Sequence, residues 1–379
     1  MYRLTKEQEL IQKAAREYAE KTIEPIGAQI DRENLIPRAI LNGLADLGMF
    51  SIPFPEEYGG GEAGYLSYIL ALEQLCKASL GIGMIISVNA VGLSVLNTFG
   101  SAALKERYMP DAACGKTIMS FAFTEPGTGS DPKQLSATAV RRDGKFIING
   151  TKRFISNAGY EGPMVVVCRE EGSGKATALL VDKFCPGYSV SEPWEKIGAH
   201  GGPLYDVYFK DVEVPADNML GDIGHGMWVL KVAMIYGKIG LVGLFLGAAL
   251  AAYEEALSYA KTKTHRGTPI ASKFEHIQMT IADMTMKYEA AKWYAYHLGH
   301  VADTVKDQNL LIKEAALTKM FVTESAIDLC RMAMSVHGSY GLMKDYKIAR
   351  IWGDVIFGPQ VEGTAPTLKV LAANVILNS

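Results

Sequence analysis

The chain has 379 residues, 49% hydrophobic and 21% charged, enough to bury a large core and to build two or three globular domains. Its 38 basic and 41 acidic side chains leave a formal charge of −3, which gives neither nucleic acid nor an anionic membrane an electrostatic claim as main partner. The five cysteines, Cys76, Cys114, Cys168, Cys185 and Cys330, form no C-x-x-C pair and no zinc-like spacing with histidine, so buried reduced thiols in a cytoplasmic protein and no metal site are expected.

At the N-terminus, Leu10, Ile11, Ala14, Ala15 and Tyr18 recur at helical spacing among Lys6, Glu7, Glu9, Lys13, Arg16 and Glu17. That pattern predicts an amphipathic surface helix, not a signal peptide. Helical periodicity continues to about Lys116, broken at Ile52-Pro53-Phe54-Pro55 and Gly59-Gly60-Gly61. Residues 78–104 carry no charge and are long enough to cross a bilayer, but Asn89, Asn97 and several serines, threonines and glycines interrupt them. A buried core helix without membrane insertion is predicted. From about Thr117 to Leu220 the texture changes to short β-branched runs, Phe146-Ile147-Ile148, Val165-Val166-Val167 and Val207-Tyr208-Phe209, with Asp143-Gly144 as a hairpin signal. After Gly226 long helical patterns return; the apolar run from Ile239 to Tyr253 is too short to span a membrane and reads as another core helix. The expected organisation is α+β: an all-α domain over residues 1–116, a β-barrel or sandwich domain over 117–226, and a four-helix-bundle-like domain over 227–379. So many apolar helices predict packing against partner subunits.

Three stretches carry chemistry. Phe121-Ala122-Phe123-Thr124-Glu125-Pro126-Gly127-Thr128-Gly129-Ser130-Asp131 ends a β-like run in a turn rich in backbone and hydroxyl donors, suited to a flat polar ring or an anion. In Asn149-Gly150-Thr151-Lys152-Arg153-Phe154-Ile155-Ser156-Asn157 an aromatic and a hydroxyl stand two apart, hence on one side of a strand. Near the C-terminus Val361-Glu362-Gly363-Thr364 places a carboxylate before residues that let backbone approach a ligand. In this order, and with Val214-Pro215-Ala216-Asp217-Asn218-Met219-Leu220-Gly221 and His337-Gly338-Ser339-Tyr340-Gly341, the chain resembles the acyl-CoA dehydrogenase family over nearly its whole length.

The resemblance implies FAD as cofactor, an acyl-CoA thioester as substrate, an electron-transferring flavoprotein as electron acceptor and a homotetramer built as a dimer of dimers. It implies that Thr124 contacts the pyrimidine side of the flavin, Ser156 lies near N5 and Phe154 packs on the ring, with Phe121, Phe123, Gly129 and Thr364 also at the cofactor. Ser130 is expected by the flavin phosphates or the thioester tail. For the dinucleotide half the matching positions are Lys263, Arg266, Glu275, Ser335 and Gly338. Glu362 matches the catalytic base that takes the α-proton while the β-hydride goes to the flavin. Asn89, Tyr236, Lys238, Val361 and Gly363 are the expected substrate contacts. Relatives that carry the base elsewhere place it on the helix that here reads Ile235-Tyr236-Gly237-Lys238, where no carboxylate stands.

Several positions depart from the family pattern. Lys263-Thr264-His265-Arg266-Gly267 replaces an R-x-x-F-G stretch that reaches the FAD pyrophosphate of a neighbouring subunit, and Arg266 is then the candidate for the missing guanidinium. The usual D-x-x-R turn on the CoA side has lost its aspartate at Ile235 and carries lysine for arginine at Lys238, keeping the charge without the planar fork. Simple drift and a changed carrier or acyl group both account for that. Val361 replaces a bulky tyrosine beside the base, which opens lateral space and points to a branched or cyclic acyl group. An enoyl-CoA reductase or an acyl-CoA oxidase on the same scaffold, and a flavin-free binding protein, are the alternatives.

Overall fold

The computed structural model describes residues 3–129 and 134–378. The chain opens with α1 (Lys6–Tyr18), α2 (Gly27–Glu33) and α3 (Arg38–Asp46), then α4 (Gly64–Ala78), α5 (Leu80–Phe99) and α6 (Ala102–Ala113). Helix α1 starts in a reciprocal cap: Thr5 Oγ1 accepts from Gln8 N, and Gln8 Oε1 accepts from Thr5 N. Ala15 is buried, whereas Leu10 is exposed although its spacing puts it among the apolar positions.

The uncharged stretch expected as one buried helix takes in the last residue of α4, all of α5 and the first residues of α6. Ser79 takes an extended conformation between α4 and α5, and α5 stops at Gly100. The apolar window of α5 is 83% buried inside the protein, so it is a core helix. The run from Ile239 to Tyr253, expected to be too short to span, belongs to α7 (Gly226–Thr262), whose 37 residues make it about 55 Å long. By length and composition α7 would cross a membrane, but it too is 83% buried over its apolar window.

Helix α7 approaches α4 and α5 closely because one side of it is glycine. A methyl at Gly247 would stand 2.5 Å from the Glu73 carbonyl oxygen, and one at Gly243 2.8 Å from Leu72 Cβ; at Gly240 it would collide with Ser87 Oγ. The buried Glu73 carboxylate ties α4 to α9 by accepting from Tyr288 Oη (2.5 Å) and Tyr296 Oη (2.8 Å). A polar cavity of about 390 Å³ beside it is lined by Arg16, Glu73, Gln74, Lys77, Tyr288 and Tyr296, among others. It contains none of the expected site residues.

The middle of the chain forms one seven-stranded sheet of β1 (Ser120–Ala122), β2 (Thr138–Arg142), β3 (Lys145–Ser156), β4 (Pro163–Glu170), β5 (Ala176–Asp182), β6 (Tyr188–Val190) and β7 (Leu204–Pro215). Strand β4 pairs with β5 on one edge; β1 and β2 follow each other along the other, both parallel to it. The order continues β2-β3-β7-β6, antiparallel throughout. Asp143 and Gly144, at φ +49° and +75°, make the β2–β3 turn, as a primed hairpin turn requires. Inside the sheet, Lys152 Nζ donates to Glu125 Oε1 (2.7 Å) and to the carbonyls of Phe123 (3.0 Å) and Val167 (2.6 Å). Glu125 also accepts from the backbone N–H groups of Ser136 and Ala137. Both side chains are wholly buried.

Beyond α7 come the hairpin β8 (Thr264–His265) and β9 (Thr268–Pro269), the short α8 (Ile270–Lys273), α9 (Glu275–Thr304), α10 (Gln308–His337), α11 (Lys347–Val355) and α12 (Ala365–Leu377). Helices α7, α9 and α10 pack on one another and α12 lies along α10. Of the five free thiols, Cys76, Cys168 and Cys330 are buried as expected, but Cys114 is exposed and Cys185 half-buried.

Two outcomes test this account. Gly247→Ala meets a backbone carbonyl that cannot move aside, and should destabilise by ~1–3 kcal/mol, read as a lower denaturant midpoint at constant m-value. Lys152→Met leaves Glu125 buried without its cation and should cost ~3–5 kcal/mol. Lys152→Met with Glu125→Gln, which removes the charge but keeps an acceptor for Ser136 and Ala137, should recover a measurable part of the loss; additive losses would contradict the coupling.

Candidate functional site

Glu362 occupies the turn between Gly358–Gln360 and α12 at φ +53°, and Gly363 follows at φ +97°. Only the second of these left-handed positions is a glycine, so the backbone strain falls on Glu362 itself. The turn is held from α10, where Lys319 Nζ donates to the Gly363 carbonyl at 3.1 Å. Thr364 N-caps α12 by backbone geometry, its Oγ1 2.9 Å from Thr367 Oγ1.

The carboxylate of Glu362 folds back over α7. A Cβ built on Gly237 would lie 2.7 Å from Glu362 Oε2, so this position of α7 is directly against the carboxylate, and a side chain there would displace it. Glu362 Oε2 has no accessible surface and no hydrogen-bond partner, a costly state unless a ligand makes use of it. Burial pushes the pKa of Glu362 up; Lys238 and Lys319 pull it down, and the net direction is upward.

Lys238, expected as a substrate contact on the CoA side, is 5% exposed, donates to Met234 O (2.8 Å) in its own helix and faces Glu362. Burial lowers its pKa to about 8. Asn89, also expected as a substrate contact, donates through its amide to Ala112 O (3.0 Å) and accepts from Met119 N (2.7 Å), so both ends are engaged by backbone. Tyr236 is half-buried and stacks on Tyr65 with ring centroids 5.0 Å apart. Val361 is half-buried against the main core, and Ile235 is buried.

On the sheet side, Phe154 has φ +59° and is 51% exposed. One residue more on β3 than on β7 between Lys152 and Ile155 produces this bulge, which re-aims a side chain. Ile155 is buried beyond the bulge, whereas Phe154 is exposed and Ser156 half-buried. Trp194, overlooked in the sequence, extends the aromatic surface at 5.4 Å from Phe154. Asp206 accepts from its indole and from Arg153. Thr124 is half-buried, and its carbonyl accepts from Arg153 N (2.7 Å). Phe121 is half-buried; the ring of Phe123 belongs to the core, and its carbonyl accepts from Lys152 Nζ. Gly129 is exposed with open space around a would-be Cβ, as is Gly127. Ser130 lies outside the described residues.

An exposed aromatic face, a neighbouring hydroxyl and an open glycine turn fit a flavin ring. The residues expected at the dinucleotide half are all on the surface of the helical domain. Arg266 is at φ +52° in the β8–β9 turn, Glu275 begins α9, and Ser335 Oγ donates to Arg331 O; Gly338 closes α10 at φ +60°. Lys263 stands 4.7 Å over the Tyr340 ring. Lys319 escaped the sequence reading, although a lysine among Ala315, Ala316 and Met320 on a buried helix face was a signal.

The chain matches the models of the N-terminal, middle and C-terminal domains of acyl-CoA dehydrogenases at residues 5–116, 120–212 and 224–377. It is 33% identical over 378 residues to an acyl-CoA dehydrogenase of Bacillus subtilis, covering 99% of each chain. It is 34% identical over 377 residues to the 3-(aryl)acrylate reductase of Clostridium sporogenes, covering 98% of this chain and 99% of the reductase. Against a caffeyl-CoA reductase–Etf complex subunit of Acetobacterium woodii it is 31% identical over 379 residues, covering 98% and 99%. The solved butyryl-CoA dehydrogenase of Megasphaera elsdenii superposes with a TM-score of 0.95 at 29% identity, over all of both chains. With all three domains matched, the chain belongs to the acyl-CoA dehydrogenase family, FAD-dependent oxidoreductases acting on CH–CH groups.

Proposed function

We propose that this chain dehydrogenates an acyl-CoA thioester between its α and β carbons, with Glu362 as the base and an acyl group branched or cyclic near the carboxyl end. The observation that carries the reading is the buried, unpartnered Oε2 of Glu362 against Gly237, with no second carboxylate at that place. A desolvated carboxylate is a stronger base towards a carbon acid than a hydrated one. The left-handed turn at Glu362 and Gly363 brings backbone close to the thioester, and the bulged Phe154 with Ser156 and Thr124 orients the cofactor ring. FAD, when bound, supplies the hydride acceptor that no side chain can provide.

Val361 and Ile235 support the choice of acyl group. The first leaves lateral room beside the base, and the second gives α7 an apolar buried side chain at the position of the lost aspartate. An electron-transferring flavoprotein fits as acceptor, since relatives include Etf-complex subunits. We further infer a cytoplasmic homotetramer: Met279 and Met286, two turns apart on α9, and Val370 and Ile376 on α12 are exposed apolar side chains suited to a partner subunit. Arg266 is proposed for the FAD pyrophosphate.

A reductase reading is favoured by the relatives named as reductases. The same residues would serve it: FAD, when bound in its reduced form, would supply the hydride for the β-carbon, and protonated Glu362 would deliver its proton to the α-carbon.

Glu362→Gln should retain FAD but lose flavin reduction by acyl-CoA by roughly 10²–10⁴-fold, the usual share of a general base; near wild-type bleaching would place the base elsewhere. Because burial raises the pKa of Glu362, wild-type flavin reduction should fall on acidification with a midpoint above the ordinary glutamate value of 4.5. The base works ionised, so activity is present above that midpoint and lost below it. Reduction of an enoyl thioester requires the protonated form and should show the opposite slope. For the acyl group, kcat/KM should favour isobutyryl- or cyclohexanecarboxyl-CoA over butyryl- and octanoyl-CoA. Differences of ~1–3 kcal/mol per methylene-sized change make the preference measurable. A straight chain winning by tenfold or more would refute this part.

A further inference from the structure

Lys319 is fully buried on α10, at 0% exposure, where an ammonium group is costly unless something nearby compensates it. Its hydrogen bond crosses to the Gly363 carbonyl at 3.1 Å, spanning 44 residues of sequence. The charged groups facing it are Glu362, Lys238 of α7 and, more weakly, Glu324 of its own helix. Those facing Glu362 are Lys238 and Lys319. Among the described residues Oε2 of Glu362 stays without a hydrogen-bond partner, so neither lysine donates to it. The ammonium group is therefore close enough to favour a carboxylate, yet it spends its proton on the next residue's backbone.

We propose that Lys319 is a positioning residue for Glu362: it pins the strained turn through the Gly363 carbonyl and holds the carboxylate in its ionised form without occupying the oxygen that receives the proton. Lys238 contributes charge from the other helix but is tied to Met234 of its own turn, so only Lys319 couples position and charge. A direct salt bridge would stabilise the ion more and leave a weaker base. The inference rests on Glu362 being the base. It explains why a lysine stands in an alanine-lined stretch where packing alone would take an apolar residue.

The test uses the FAD-loaded enzyme with Lys319→Met, Lys319→Gln and Lys319→Arg. Difference infrared spectra follow the protonated carboxyl band of Glu362, assigned by its loss in Glu362→Gln, and anaerobic flavin bleaching gives the pH profile of the reaction. Met and Gln should move both midpoints upward by about one pH unit, a tenfold loss of ionised base on the acid side; Arg should keep them near wild type. Gln retains a donor for the Gly363 carbonyl, so it carries the comparison if Met does not fold. An unmoved infrared midpoint in the neutral variants, with bleaching slowed equally at every pH, would overturn the proposal and leave Lys319 as packing. Undiminished bleaching in Glu362→Gln would instead overturn Glu362 as the base, while the infrared midpoints still decide what Lys319 does to its ionisation.

Discussion

The glycine side of α7 is the constraint on which this site depends. Gly240, Gly243 and Gly247 let the longest helix of the chain lie against α4 and α5 at distances that any Cβ would prevent, and Gly237 leaves the volume into which the Glu362 carboxylate folds. Glycine inside a helix costs roughly 0.5–1 kcal/mol against alanine, a penalty that only close packing offsets. The same spacing that buries α7 therefore also fixes how near Glu362 comes to Lys238 and how deeply its oxygen is taken out of water.

Two of the buried charge clusters have opposite consequences. Lys152 and Glu125 are joined directly, and their remaining hydrogen-bonding capacity goes to the carbonyls of Phe123 and Val167 and to Ser136 and Ala137 ahead of β2, so the pair reads as a rivet of the sheet. Around Glu362 two lysines, each drawn down to about 8 by burial, lie close without pairing. A fully satisfied pair is inert, whereas a carboxylate with a free buried oxygen retains the capacity to exchange a proton. The difference lies in where the lysine protons go.

Backbone-directed side chains carry the geometry from one part of the chain to the next. Asn157, at the end of β3, donates to Ile85 O of α5 and to Met119 O, and Lys183 donates to the carbonyls of Ile118 and Asn157 and to Ser120 Oγ. Burial takes Lys183 to about 7. On the other side, Ala199 N donates to Asp354 Oδ1, and Gly198 and Gly353 touch backbone to backbone. Asp354 lies on α11, a few residues ahead of the Glu362 turn. The bulged strand with Phe154 and the turn with Glu362 are thus anchored to the same scaffold from two directions.

What the sequence determined by itself was chemistry that is local in the chain. The order of the three motifs marked Glu362, Thr124, Phe154 and Ser156, and Asp143-Gly144 specified its own turn, because each depends on residues a few positions apart. The change of texture from helical to β-branched and back was equally legible, since periodicity is a local property. The tertiary structure decided everything that required a partner far along the chain. It bounded the helix of the uncharged stretch at Ser79 and Gly100, merged the run after Ile239 into a helix of 37 residues, and engaged Asn89 with the backbone of Ala112 and Met119. It also turned Lys238 inward and brought Lys319 to Gly363. A lysine's charge is written in the sequence, but its pKa and its hydrogen-bond partner follow from burial and packing between helices whose contacts no short window of residues contains.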